Sequence, residues 1–275
     1  MQDRRRTLLI SLPVAILVLV AVFPFLWMAV SAFKPLSQLY TIPPQWLPDP
    51  PTLANFKNVL FESNIPRYFI NSLIVSIGST FLALVFAIFA AYGFARFDFR
   101  GRSAALAFVL IGQLLPTATV IVPLYIVLNY LGLINTYLGL ILVYLILTLP
   151  LSVWMLTGYF RGIPKELEDA AIIDGASPLG VLFRISLPLV TPGIIAVTLY
   201  SFVATWNEFV FALSFATAKE MKTLPIGLAE FSTEFDTDWG AVMAASFVMT
   251  LPIALIFLVM QRMFVSGLMS GATKG

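Results

Sequence analysis

Charged residues are so widely spaced along this chain that they act as punctuation between apolar stretches. Thr7 to Phe33, Tyr68 to Ala95 and Trp239 to Gln261 carry no charge, and a helix needs about 20 apolar residues to cross a bilayer core about 30 Å thick. Each stretch therefore predicts one membrane span. The uncharged run from Ser103 to Phe160 is 58 residues long, too long for one crossing. Its middle holds Asn129, Gly132, Asn135 and Thr136, a turn composition that predicts two helices joined by a short loop. Ile185 to Ala218 carries a single charge, Glu208, and supplies the remaining span. The pattern predicts an all-α polytopic membrane protein: one transmembrane domain over residues 1–275, with six helices at about 8–31, 69–94, 104–127, 138–160, 188–212 and 240–262.

Composition agrees. Of 275 residues, 60% are hydrophobic and 11% charged, against about 45–50% and roughly 25% in a soluble domain. The 16 Lys and Arg nearly balance the 14 Asp and Glu, so no basic field argues for nucleic acid. With no Cys and no His, disulfides, thiolate or imidazole metal sites and Ser-His-Asp catalysis are excluded. No Gly-Lys dipeptide occurs, so the chain has no P-loop of its own.

Short loops rich in Lys and Arg stay on the cytoplasmic side. With the N-terminus inside, the inner segments hold Arg4, Arg5, Arg6, Arg96, Arg100, Arg102, Arg161, Lys165, Arg184, Arg262 and Lys274, and the outer ones only Lys34, Lys57, Arg67, Lys219 and Lys222. That imbalance predicts both termini in the cytoplasm. The first apolar run follows an Arg cluster, as in a signal peptide, but exceeds the roughly 7–15 residues of such a peptide, so it reads as a retained anchor.

The external loop 34–67 contains Pro35, Pro43, Pro44, Pro48, Pro50, Pro51 and Pro66, which keep its first half from forming a regular helix. It reads either as a stiff linker or as a docking surface for an external partner. The second external loop, Lys219 to Asp238, is acidic, with Glu220, Glu230, Glu234, Asp236 and Asp238.

The cytoplasmic loop 161–187 reads as helix, turn and second short helix. Pro164 suits a first turn, Glu166, Glu168 and Asp169 oppose the positive end of the helix dipole, and Gly175 supplies a left-handed cap. Ser177 then caps a helix with Pro178 at its first position, running to a stop at Pro188. Leu167, Ala170, Ala171 and Asp174 share one small face. A helix lying on lipid head groups is the alternative, but such helices favour Lys and Arg, whereas this one is acidic. A docking element for another protein fits better.

Glu168-Asp169-Ala170-Ala171-Ile172-Ile173-Asp174-Gly175-Ala176, followed by Ile185-Ser186-Leu187-Pro188, resembles the EAA signature of permease subunits of binding-protein-dependent ABC importers. The signature runs Glu-Ala-Ala, three positions, Gly, nine positions, Ile, a variable residue, Leu, Pro. Gly175, Ile185, Leu187 and Pro188 fit the spacing, and Asp169 stands where Ala or Glu is common. Asn71-Ser72, Ala91 to Arg96, Trp206-Asn207-Glu208-Phe209, Thr237 to Gly240, and Gln261 through Gly267 to the tail at Gly275 resemble the carbohydrate-uptake branch, of the maltose-system MalG type.

The resemblance implies a type I ABC importer permease (MetI-like) fold in a prokaryotic plasma (inner) membrane. It implies a heterodimer with a second related permease, two copies of a cytoplasmic ATPase and an external sugar-binding protein. This chain then holds no cofactor and catalyses nothing, ATP and Mg belonging to the ATPase. Coupling through the 164–187 loop would fall to Glu168, Asp169, Ala170, Ala171, Asp174, Gly175, Ala176, Ile185, Leu187 and Pro188. Glycerol phosphate or a polyol is an alternative cargo.

An ion-coupled secondary transporter is the alternative mechanism, but a proton relay needs several buried ionisable groups, and Glu208 alone lies within a predicted span. Glu208 either makes a structural hydrogen bond or touches substrate. Trp206 and Asn207 beside it and Gln113 in the third span are further candidates for the substrate path. Pro116, Pro123, Pro150, Pro192 and Pro252 within predicted spans are expected to mark kinks or hinges.

Overall fold

The computed structural model describes the backbone of residues 2–232 and 237–272, and side chains over 11–232 and 237–261. Glu234, Asp236, the tail 273–275, and the side chains of Arg4, Arg5, Arg6 and Arg262 lie outside the described residues. In chain order the helices are α1 (Gln2–Ala32), α2 (Leu36–Leu39), α3 (Ala54–Lys57), α4 (Ile65–Arg96), α5 (Arg102–Ile111), α6 (Thr117–Tyr130), α7 (Tyr137–Arg161), α8 (Lys165–Ile173), α9 (Pro178–Val181), α10 (Leu187–Leu189), α11 (Thr191–Trp206), α12 (Val210–Phe215), α13 (Leu224–Ala229) and α14 (Trp239–Ala272). Among the described residues there is no strand, only an isolated bridge between Ser232 and Thr237.

Four helices are long and apolar enough to cross a bilayer unbroken, at Ser11–Ala32, Ile65–Arg96, Tyr137–Arg161 and Trp239–Gln261. Two further apolar stretches are bent, by 98° between Leu114 and Thr117 and by 78° between Leu189 and Thr191. The first bend has a local cause. Proline drives the residue before it out of the helical region, and Leu115, before Pro116, is extended at φ −73°, ψ 128°. Pro123, Pro150 and Pro252 sit inside α6, α7 and α14, and Pro192 opens α11 just past the second bend. Pro188 does not stop its helix: it occupies the first turn of α10, where a missing N–H is harmless, and the path turns only at Val190.

The chain divides into two compact units. The first comprises residues 1–67 and 227–251. Its extramembrane segment contains the single helical turns α2 and α3 and a π-turn from Asn58 to Glu62. The Asn55 amide donates to the carbonyls of Ala32 and Lys34, both at 2.9 Å, fixing the exit from α1. Gly240 lies so close to the Asn55 side chain that a Cβ would collide with it.

The second unit, residues 68–226 and 252–275, holds most of the spanning helices. Turn chemistry sets the α6–α7 loop: Gly132 and Asn135 adopt left-handed φ of 68° and 58°, and the Thr136 hydroxyl accepts the Gly139 N–H at 3.0 Å to start α7. Ala87, Ala91 and Ala95 form a stripe on α4 in one core cluster with Val153, Leu156 and Phe160 of α7. Small residues permit the close helix approach on which packing in lipid depends. The same device joins α7 to α11, where a Cβ at Gly193 would enter the Tyr159 ring and the hydroxyls of Ser152 and Ser201 meet at 3.2 Å.

The segment from Lys219 to Asp238 is more than an acidic surface, since Thr223, Leu224 and Ile226 are buried. The Asn71 amide donates to the carbonyls of Glu220 and Lys222, both at 2.8 Å, and Ser72 accepts the Leu224 N–H. Tyr137 donates to Asn71 at 2.7 Å.

Candidate functional site

The loop between α7 and α11 is built almost entirely from local rules. α7 ends at Arg161 and Gly162, and Pro164, extended at ψ 130°, opens α8. α8 stops in a Schellman motif: the Ala176 N–H bonds to the Ala171 carbonyl and that of Gly175 to Ile172, both at 2.9 Å, with Gly175 at φ 87°. Ser177 accepts the Gly180 N–H and Pro178 begins α9. A π-turn from Leu182 to Ser186 carries the chain into α10.

One side of α8 is tied into the protein by charge. Arg96, the last residue of α4, bonds through Nε to Glu168 Oε2 at 2.6 Å, with both side chains more than nine-tenths buried. Ser186 in the π-turn donates to the other Glu168 oxygen at 2.5 Å, and Arg96 Nη2 donates to the Ile163 carbonyl at 3.2 Å. One buried carboxylate thus joins the end of α4, the first turn of α8 and the approach to α11. Charge-assisted bonds of this kind are short and directional, so the loop is held at a fixed attitude.

The other side of α8 faces outward. Glu166, Leu167, Asp169, Ala170 and Asp174 are exposed, and Ala171 and Ala176 half-buried. Ile173 is 85% exposed, with Ile172 and Leu179 also open, an apolar patch that the sequence-based face of Leu167, Ala170, Ala171 and Asp174 did not include. Of the remaining loop candidates, Ile185 and Leu187 are half-buried and Pro188 is exposed. Counting six positions back from Gly175, the acid of the signature falls on Asp169, which points outward, whereas Glu168 points inward. In the sequence Arg96 stands as an inner cation and the last residue of the Ala91 to Arg96 segment, and Ser186 as the variable residue of the signature, with nothing to link either to Glu168.

The four path candidates occupy different environments. Trp206 is fully buried, edge-on to Phe69 and stacked on Phe202, so its ring has no open face in this chain. Asn207 is exposed and donates to the Val203 carbonyl at 2.8 Å, closing α11. Glu208 sits just beyond α11, where its two oxygens accept the N–H groups of Phe211 and Ala212 at 2.8 and 3.0 Å, satisfying donors at the start of α12. Gln113 lies in the short 3₁₀ turn at the 98° bend and donates to the Leu147 carbonyl at 2.6 Å. No hydrogen bond among the described residues joins Gln113 to the other three.

Residues 83–269 match the family described as binding-protein-dependent transport system inner membrane component. The chain is 36% identical to the trehalose/maltose transport system permease protein MalG of Thermococcus litoralis, over 98% of each chain. It is 34% identical to the sulfoquinovosyl glycerol transport system permease protein SmoH of Agrobacterium fabrum, over 95% of this chain and 92% of that one. It is 33% identical to the diacetylchitobiose uptake system permease protein DasC of Streptomyces coelicolor, over 92% of both. A solved bacterial ABC transporter involved in alginate import superposes with a TM-score of 0.81 at 19% identity, over 96% of this chain and 98% of the other, so the fold is shared. The chain belongs to the family of binding-protein-dependent transport system inner membrane components. It is a multi-pass ABC permease of the plasma (inner) membrane.

Proposed function

We propose that this chain is one half of the translocation path of an ATP-driven importer of a carbohydrate, paired with a second related permease. Two copies of a cytoplasmic ATPase, which bind ATP and Mg, dock on the outward side of α8, and an external sugar-binding protein delivers the solute. Both termini are cytoplasmic. The observation that carries the reading is the two-sided geometry of α8. Its inner side is locked through Glu168 to Arg96 and Ser186, so a push on Asp169, Ile173 or Gly175 moves α4 and the approach to α11 together. Relatives named for trehalose and maltose, diacetylchitobiose and sulfoquinovosyl glycerol support a carbohydrate as cargo.

The test is uptake of labelled oligosaccharides into proteoliposomes holding the chain with a second permease, an ATPase and a sugar-binding protein from the same organism. Uptake is expected to require ATP and all four components and to persist when a protonophore collapses the proton gradient. Uptake that proceeds without ATP and stops with the protonophore would instead establish an ion-coupled carrier.

A further inference from the structure

The first unit contains a cavity of 280 Å³ whose walls include Trp27, Ser31, Lys34, Tyr40, Trp239 and Met243. Lys34 is 2% exposed. Its ammonium donates to the Gln45 carbonyl at 2.6 Å and lies 4.0 Å over the Trp27 ring, and no carboxylate among the described residues pairs with it. An ammonium has three N–H donors, and a buried charge with only neutral partners is costly unless an opposite charge joins it.

The cavity lies where apolar helix gives way to polar chain. Trp27 and Ser31 are in the last turns of α1, and Trp239 and Met243 in the first turns of α14. Phe23, Trp27 and Trp46 cluster beside it with ring centroids 5.6–6.4 Å apart, and Trp46 and Leu47 are widely exposed. Aromatic rings gather in this way at head-group level. Below them α1 exposes Leu19, Phe23 and Leu26, an apolar strip that suits acyl chains.

We propose that this cavity binds a phospholipid, with Lys34 and Ser31 holding the head-group phosphate, Trp27, Tyr40 and Trp239 enclosing the glycerol region, and the acyl chains lying along α1. A neutral sugar would satisfy the rings but not the ammonium. A free phosphate would satisfy the ammonium but leave the aromatic walls and the strip on α1 without a role.

Native mass spectrometry of the full chain in detergent tests the site, with phosphatidylglycerol, diacylglycerol of the same acyl length and inorganic phosphate as probes. Phosphatidylglycerol is expected to bind at least about tenfold more tightly than either other probe. Lys34→Gln should remove that preference, and so should Met243→Trp, which fills the cavity without removing the ammonium. If Lys34→Gln does not fold, Met243→Trp decides alone. Equal binding of diacylglycerol and phosphatidylglycerol, unchanged lipid binding by Met243→Trp, or inorganic phosphate binding as tightly as the lipid would each overturn the proposal.

Discussion

Two neighbouring acids, Glu168 and Asp169, differ by 100° on one helix and consequently in everything else. Glu168 is buried with a guanidinium and a hydroxyl, and removing one partner of a buried pair costs about 3–5 kcal/mol because the other charge is stranded. Asp169 is exposed, and surface substitutions usually shift stability by no more than about 0.5 kcal/mol. Glu168→Ala should therefore lower the unfolding temperature sharply in detergent. Asp169→Ala should leave that temperature unchanged while weakening retention of the ATPase during purification. Equal unfolding temperatures for the two variants would show that the buried pair contributes nothing. Glu208 calls for a different variant. A Gln there keeps one acceptor oxygen where the carboxylate has two, so one of the bonds to Phe211 and Ala212 is lost at about 1–2 kcal/mol. Glu208→Gln is expected to lower stability by that amount and leave the concentration dependence of uptake unchanged. A raised KM with unaltered stability would instead make Glu208 a substrate contact.

At the scale of elements, local signals were legible where a residue type allows only one backbone state, and illegible where burial decides. Gly175 announced the end of α8, Ser177 and Pro178 the start of α9, and Asn135 with Thr136 the α6–α7 turn, because each is fixed by its own φ, its hydroxyl or its missing N–H. Pro188 misled for the same reason: proline ends a helix or begins one, and only packing chooses. The inward turn of Glu168 was equally hidden, since its partners Arg96 and Ser186 lie 72 and 18 positions away. The burial of Trp206 depends on Phe69 and Phe202 in the same way. The α8 cap offers a clean test because a Cβ at Gly175 would meet nothing within 4 Å. Any effect of a side chain there comes from the left-handed backbone, at about 1–2 kcal/mol. Gly175→Val should insert and fold at close to the normal level, yet redirect Ala176 and the start of α9 and uncouple ATP hydrolysis from uptake. Normal coupling would mean that the attitude of α8 does not depend on its cap.

For the whole molecule, the scarcity of charge is what makes sidedness accessible to experiment. The second unit separates two kinds of surface along its sequence. One is the loop carrying Arg161, Lys165 and Arg184. The other is the segment around Lys219, held by Asn71 through the Glu220 and Lys222 carbonyls and by Asn135 through Ala218. The loop carrying Arg161, Lys165 and Arg184 is one of the alternate segments that together hold most of the Lys and Arg of the chain, and that bias in cations is the reason to place it in the cytoplasm and the segment around Lys219 on the opposite face. The protein contains no Cys, so a single introduced thiol reports its side of the membrane without background. Ile173 and Lys219 are exposed and make no bond that a Cys would break. Ile173→Cys should react with a membrane-impermeant maleimide only in inside-out vesicles, and Lys219→Cys only in intact spheroplasts. The reverse pattern would place α8 outside the cell, out of reach of ATP, and would remove the coupling role together with the orientation. Labelling of both positions from one side would show instead that the stretch from α9 to α11, bent by 78°, re-enters the bilayer without crossing it.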